Sequence, residues 1–438
     1  MATTLAPIAF DRETLKAGLA AARRRTDEMF EEVLAPSAIF ERPIPERNRL
    51  IFYLGHVEAF DVNIILRAGF GRPSFHPDFD RLFAFGIDPI DGGLPNEPAS
   101  DWPALADVLA YRDRARREVD AVLERGDDAD PERAHGVFHT GIEHRLEHAE
   151  TLAYLFHQLP THLKYAQRQA SMPETAFRGE QPSIPAGRAT LGRRRGHGFG
   201  WDNEFDEHTV DVPAFRIDRY PVTNAQFMEF LKDGGYTNPK YWSDGDWSWR
   251  QGQKVLHPVF WVRRESGWYL RGMFAEFLLP GSWPVYVSQA EASAYARWAK
   301  RRLPTEAEFH RAAYGTPDGT EREYPWGEAA PGAPHGNFDF HRWDPAPVGS
   351  YPDGDSAFGV AELVGNGYEW TSTEFAPFDG FAPYDFYPGY SANFFDGRHW
   401  VMKGGSPRTA APLLRRSFRN WFQGHYPYMY AKFRLVTA

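Results

Sequence analysis

Residues 136–159, GVFHTGIEHRLEHAETLAYLFHQL, decide the first half of the fold, because their apolar positions recur at three- and four-residue spacing. Within this run His144 and His148 stand four residues apart. Residues four apart share one face of an α-helix, so the two imidazoles can be offered to a single ion. Two ligands are too few for a stable site, and the third must come from another helix. His56, in the otherwise apolar segment 53–60, YLGHVEAF, is the best placed candidate. Three neutral imidazoles suit a borderline divalent ion such as iron or zinc and leave coordination positions open. Asp61 and Glu150 are candidates for orienting an imidazole through its second nitrogen, or for a solvated helix face. A histidine pair at this spacing also arises as surface polarity, and His135, His139 and His157 lie nearby, so spacing alone leaves both readings open.

Working outward, residues 11–34, 47–69 and 102–126 carry the same helical periodicity, which predicts a bundle of four main helices over 1–170. A Pro- and Gly-containing linker at 171–190 follows. From 191 to 438 the composition shifts to short strands, many Gly, Trp and Tyr, and long irregular connections, as in an α+β domain held by aromatic packing. Only 221–234, 288–301 and 303–315 read as helices there.

The chain has 438 residues, enough for at least two cores, with 42% hydrophobic and 25% charged residues. Its formal net charge of −10 argues against nucleic acid as a partner, and the local basic run Arg193, Arg194 and Arg195 reads as a solvated loop. No leader-like or membrane-spanning apolar run is evident, so a cytoplasmic location is expected. There is no cysteine, which excludes disulfides, thiolate metal sites and cysteine nucleophiles.

The histidine-bearing bundle resembles the DinB-like domain of iron-dependent sulfoxide synthases of ergothioneine biosynthesis. The second part makes the likeness specific. Residues 198–231 (GFGWDNEFDEHTVDVPAFRIDRYPVTNAQFMEFL), 301–315 (RRLPTEAEFHRAAYG), 324–328 (YPWGE), 365–373 (GNGYEWTST), 403–406 (KGGS) and 432–436 (KFRLV) resemble successive signatures of the formylglycine-generating-enzyme fold, related to C-type lectins. Formylglycine-generating enzymes rely on active-site cysteines, which this chain lacks. The order of the two domains points to the sulfoxide synthases, which use Fe(II) and dioxygen to join a chalcogen to the imidazole carbon of hercynine.

By that resemblance His56, His144 and His148 are the iron ligands. Residues 380–395, GFAPYDFYPGYSANFF, are similar to the stretch holding the family's catalytic tyrosines and carry them onto Tyr387 and Tyr390. The motif Ser-Phe-Arg-Asn-Trp stands at 417–421, which makes Asn420 the hercynine contact with Trp421 beside it. Three departures bear on the donor. Relatives that take γ-glutamylcysteine bind it with an arginine pair, but 83–102, FAFGIDPIDGGLPNEPASDW, has no arginine; Phe422 replaces an acidic residue; and Glu147 stands where glutamine is common. The chain therefore most resembles the selenoneine synthase subgroup, which joins a selenosugar to hercynine; an ergothioneine-type synthase taking γ-glutamylcysteine or cysteine is the alternative. A metal-dependent thiol transferase and a non-catalytic binding module are the rival classes. The Asp202-Asn203-Glu204 run reads as a hydrogen-bonded turn or as a structural calcium site.

Overall fold

The computed structural model describes residues 11–84, 97–125, 130–167, 169, 172–175 and 178–437. Two compact units form. The first comprises Met1–Gln167 with Gly196–Phe199 and Tyr384–Pro388; the second comprises Arg168–Arg195, Gly200–Pro383 and Gly389–Ala438.

The first unit is helical. Helix α1 (Arg12–Glu28) starts at Asp11, whose carboxylate accepts the Thr14 N–H, and it buries Leu15, Leu19 and Ala22 along one stripe. Helix α2 (Leu50–Asp61) buries every one of its residues and continues as a π-helical segment, Val62–Gly69. After the short α3 (Pro77–Leu82), helix α4 (Leu105–Arg125) turns Val108, Tyr111, Ala115, Val119 and Val122 inward. Helix α5 (Pro131–Gln158) opens with Asp130 as cap and Pro131 in its first turn, and it is buried along most of its length. Thus α1 and α4 are amphipathic covers, while α2 and α5 are inner helices. The four long helices are those the periodicity predicts.

The second unit is built of small sheets. Strands β1 (Ser183–Ile184) and β4 (Phe215–Ile217) form one sheet with β12 (Val436–Thr437), and β2 (Gly187–Leu191) pairs with β3 (His208–Val212). Their inner residues Ile184, Ala189, Val212 and Ile217 pack against Phe309, Ala312 and Ala313 of helix α9 (Glu306–Tyr314). Strands β5 (Trp261–Arg264), β6 (Gly267–Arg271) and β7 (Glu276–Leu278) make an antiparallel meander. A fourth sheet has the order β10-β9-β8-β11, formed from β8 (Gly367–Glu374), β9 (His399–Gly405), β10 (Asn420–Gln423) and β11 (Ala431–Lys432). Gly367 has φ +126°, and a Cβ there would lie 2.8 Å from the Tyr286 ring, which accounts for the second glycine of the 365–373 motif.

The expected helices in this unit are present as α6 (Asn224–Lys232), α8 (Gln289–Trp298) and α9. Each has a reciprocal capping box. A fourth, α7 (Asp244–Gly252), corrects the expectation of only three; its sequence DGDWSWRQG has no apolar periodicity, and Ser243 nucleates it by accepting the Asp246 N–H.

The terminal motif 432–436 holds this unit together through buried charge. Arg434 donates its Nε to both Glu369 oxygens at 3.0 and 2.8 Å and its Nη groups to the carbonyls of Asp218, Arg219 and Ala361, while Lys432 Nζ reaches the carbonyls of Gly365 and Gly367 at 3.0 and 2.6 Å. Removing one partner of a buried, hydrogen-bonded pair leaves an uncompensated charge. The variant Arg434→Leu is therefore expected to lose about 3–5 kcal/mol of unfolding free energy, measured by urea denaturation.

Candidate metal centre

The first unit gathers His56 from α2 with His144 and His148 from α5, and one ligand atom from each lies within 4.8 Å of the others. The imidazole centroids are 4.4–5.1 Å apart, and all three residues are buried. His56 Nδ1 lies 2.6 Å from the Phe83 carbonyl. A carbonyl only accepts, so Nδ1 carries the proton and Nε2 presents its lone pair inward, 3.2 Å from His148 Nε2. Nδ1 of His144 and of His148 are buried without a hydrogen-bond partner, so each ring keeps a nitrogen that no described protein group claims.

Burial keeps the three rings neutral. It pushes His56 down to about 4 against the lifting effect of the Phe83 hydrogen bond, and it holds His144 and His148 well below the ordinary imidazole value, helped by the other histidines and by nearby arginines. Neutral nitrogens facing one another in an apolar setting have a donor set that fits a divalent metal ion.

Aromatic rings fix these imidazoles. Phe52 stacks on His56 at 5.1 Å, and Phe60 lies flat on His144 at 3.4 Å with an interplanar angle of 7°. The half-buried Tyr387 meets the Phe60 ring edge-on at 5.1 Å, so the structure brings this candidate catalytic residue beside the histidine cluster.

Other expected residues fall elsewhere. Asp61 does not orient an imidazole: its Oδ2 accepts Arg145 Nε and Nη2 at 2.9 and 2.7 Å, because the arginine on α5 faces it. The ring partner of His56 is instead a backbone carbonyl. His135 and His139 pair with each other at 4.3 Å, outside the cluster. Glu147 is half-buried on α5. In the second unit Tyr390 stacks on Trp201 at 3.8 Å and meets Trp421 edge-on at 5.2 Å. Asn420 and Phe422 alternate with Trp421 along β10 and so belong to its opposite face, where Phe422 stacks on Tyr426 at 5.2 Å. Glu204 of the Asp202-Asn203-Glu204 run accepts from Arg415, from Ser417 and from the Trp201 N–H, while Ser391 joins Asp202 to Asn203. This is a hydrogen-bonded turn, and among the described residues no second cluster of three His or carboxylate ligands occurs. Most of the arginine-free stretch, residues 85–96, lies outside the described residues.

Phe60 and Phe83 escape sequence reasoning, as does the packing role of Gly55 beside His56. A Cβ on Gly55 would lie 2.6 Å from three atoms of the Phe83 ring, so the glycine is what lets Phe83 seat its carbonyl against His56. The available signal was a glycine inside an apolar helix next to a candidate ligand.

The family model of the sulfatase-modifying factor enzyme 1-like domain matches residues 167–438, and that of the DinB superfamily matches 19–170. A hercynine oxygenase of Mycolicibacterium smegmatis is 36% identical over 427 residues, 94% of this chain and 95% of its own length. A hercynine oxygenase of Mycolicibacterium thermoresistibile is 44% identical over 228 residues, 51% of this chain and 50% of its own. Ergothioneine biosynthesis protein 1 of Neurospora crassa is 27% identical over 506 aligned positions, which span 94% of this chain and 56% of that protein.

Gly55→Ala tests the support given to His56. It should displace Phe83, free the imidazole to rotate and weaken metal uptake by roughly tenfold to a hundredfold, measured by titrating the metal-free protein with Co(II). Unchanged affinity would remove the Phe83 carbonyl from the site.

Proposed function

This chain belongs to the hercynine oxygenase family of oxidative enzymes, and on that premise we propose that it joins a chalcogen donor to the imidazole carbon of hercynine in an Fe(II)- and dioxygen-dependent reaction. The observation that carries this reading is the buried histidine cluster, with His56 held in one tautomer by Phe83. Bound Fe(II) would supply a redox-active ion with coordination positions left open by only three protein ligands.

The chain's own residues do the rest. His56, His144 and His148 hold the metal as neutral donors, and Phe52 and Phe60, stacked on the His56 and His144 rings, fix their orientation and cover them from water. Tyr387, beside Phe60, is the proton donor to reduced oxygen through its phenol. By the family likeness, the Asn420 amide fixes the imidazole or carboxylate of hercynine.

For the donor we favour a selenosugar. An anionic dipeptide needs cationic anchors, and the arginine pair and the acidic residue that serve the thiol-using relatives are absent from 83–102 and from position 422. A thiol donor, γ-glutamylcysteine or cysteine, is the second reading, and the likeness to ergothioneine biosynthesis protein 1 favours it.

Three experiments test these assignments. His148→Ala should lose both stoichiometric iron and turnover; a variant that retains iron defeats the ligand set. Tyr387→Phe should keep iron, yet slow product formation or divert it to oxidation of the donor, and an unchanged rate and product ratio would take Tyr387 out of the mechanism. Finally, anaerobically iron-loaded protein is opened to oxygen with hercynine and each donor, and products are identified by mass spectrometry. A hercynine–selenium adduct formed from the selenosugar alone establishes the selenium reading. A sulfoxide from a thiol identifies the ergothioneine type, and no adduct from any donor rejects the synthase function.

A further inference from the structure

We propose that Arg145 is a positioning residue for the metal centre: clamped between Glu58 and Asp61, it sets the register of α2 against α5 and thereby the triangle of the three histidine nitrogens. This rests on the reading of His56, His144 and His148 as metal ligands.

Arg145 follows His144 directly on α5 and has no exposed surface. Its guanidinium crosses to α2, where Glu58 and Asp61 stand three residues apart on one face, just beyond His56. Nη1 and Nη2 donate to the two Glu58 oxygens at 3.2 and 2.6 Å, and Nε and Nη2 both donate to Asp61 Oδ2, at 2.9 and 2.7 Å. The chain of charge continues outward: Arg116 of α4 donates to Glu58 Oε1 at 3.0 and 2.6 Å and to both Asp27 oxygens on α1 at 2.7 Å. Each of the four long helices therefore contributes one or more charged groups to a single network.

The argument turns on what apolar packing leaves undetermined. Helix α2 is buried on all sides, and its apolar contacts are non-directional, so they fix its register less sharply than directed hydrogen bonds do. The charge network has no such tolerance. Moving α2 along α5 would strip a fully desolvated guanidinium of its acceptors and leave a buried charge uncompensated. The planar fork fixes direction as well as distance, as a lysine would not. Metal ligands must hold their geometry to about 0.5 Å, and the two helices that supply them are the two that Arg145 joins.

The test is Co(II) binding by the full-length, metal-free chain, read both as a Kd and as the position and intensity of the visible d–d band, which reports ligand geometry. In Arg145→Met we expect the Kd to rise about tenfold and the band to shift and weaken at a temperature where circular dichroism matches wild type, with partial recovery in Arg145→Lys. A purely structural role would lower the melting temperature and leave both Co(II) readouts of the folded fraction unchanged, and that result overturns the proposal. Should Arg145→Met not fold, Asp61→Asn, which removes one acceptor charge and keeps the side-chain shape, gives the decision: a wild-type Kd and band there overturn the proposal equally. If the wild-type chain itself takes up no Co(II), the ligand reading fails, and this inference with it; normal uptake by wild type and Arg145→Met alike defeats the inference alone.

Discussion

Three imidazoles can share one ion only if two helices hold a common register, and the first unit is organised around that constraint. Helices α2 and α5 are its innermost elements, and they carry the three clustered histidines as well as the charges that join them. Their neighbours are subordinate in position and composition. Helices α1 and α4 cover one side each with an amphipathic stripe, and each lends a charged residue, Asp27 or Arg116, to the network that begins at Arg145. Burying ionised groups this way contributes little net stability, because desolvation offsets most of the attraction. What it supplies is a unique arrangement, since almost any other alignment of the same helices leaves a charge unpaired.

The immediate surroundings of the histidines follow a complementary logic. Phe52 and Phe60 press on ring faces, and the Phe83 carbonyl takes the outer proton of His56. The orientation of the His56 and His144 rings and the tautomer of His56 are thus settled before any ion arrives, which reduces the reorganisation that binding requires. Gly55 belongs to this arrangement although it has no side chain, because the space it leaves is filled by the Phe83 ring.

How much of this could be read from residues alone depends on the range over which each feature is encoded. The convergence of His144 and His148 is local, a matter of four residues on one helix, and the apolar stripes of the four long helices are local as well. The contact between His56 and Phe83 is not: it joins residues 27 apart through a backbone carbonyl, a group that every residue possesses and that no sequence pattern marks. Asp61 misled for a different reason. Charged residues on a helix ordinarily face water, so Asp61 read as a solvated group or an imidazole partner, whereas its true partner is a guanidinium on another helix. Helix α7 was hidden because capping by Ser243, rather than apolar period, starts it. Asn420 and Trp421 came together from the family motif at 417–421, and strand alternation places Trp421 on the opposite face of β10 from Asn420 and Phe422.

The neutrality of the ligand set bears on the donor. With a divalent ion held as proposed, three uncharged nitrogens would leave it its full double charge inside a wall of phenyl rings, where little solvent is available to screen it. The field this creates favours an anionic chalcogen, whether selenolate or thiolate, over its protonated form. It does not distinguish a sugar from a peptide as the carrier, because that difference lies in groups remote from the chalcogen. Two further carboxylates on a dipeptide would each need a counter-charge, while sugar hydroxyls need only hydrogen-bond partners. On the proposed reading, the protonation state of the chalcogen and the identity of its carrier are therefore separable: the first follows from the neutral histidines, and the second from the residues that receive the rest of the donor.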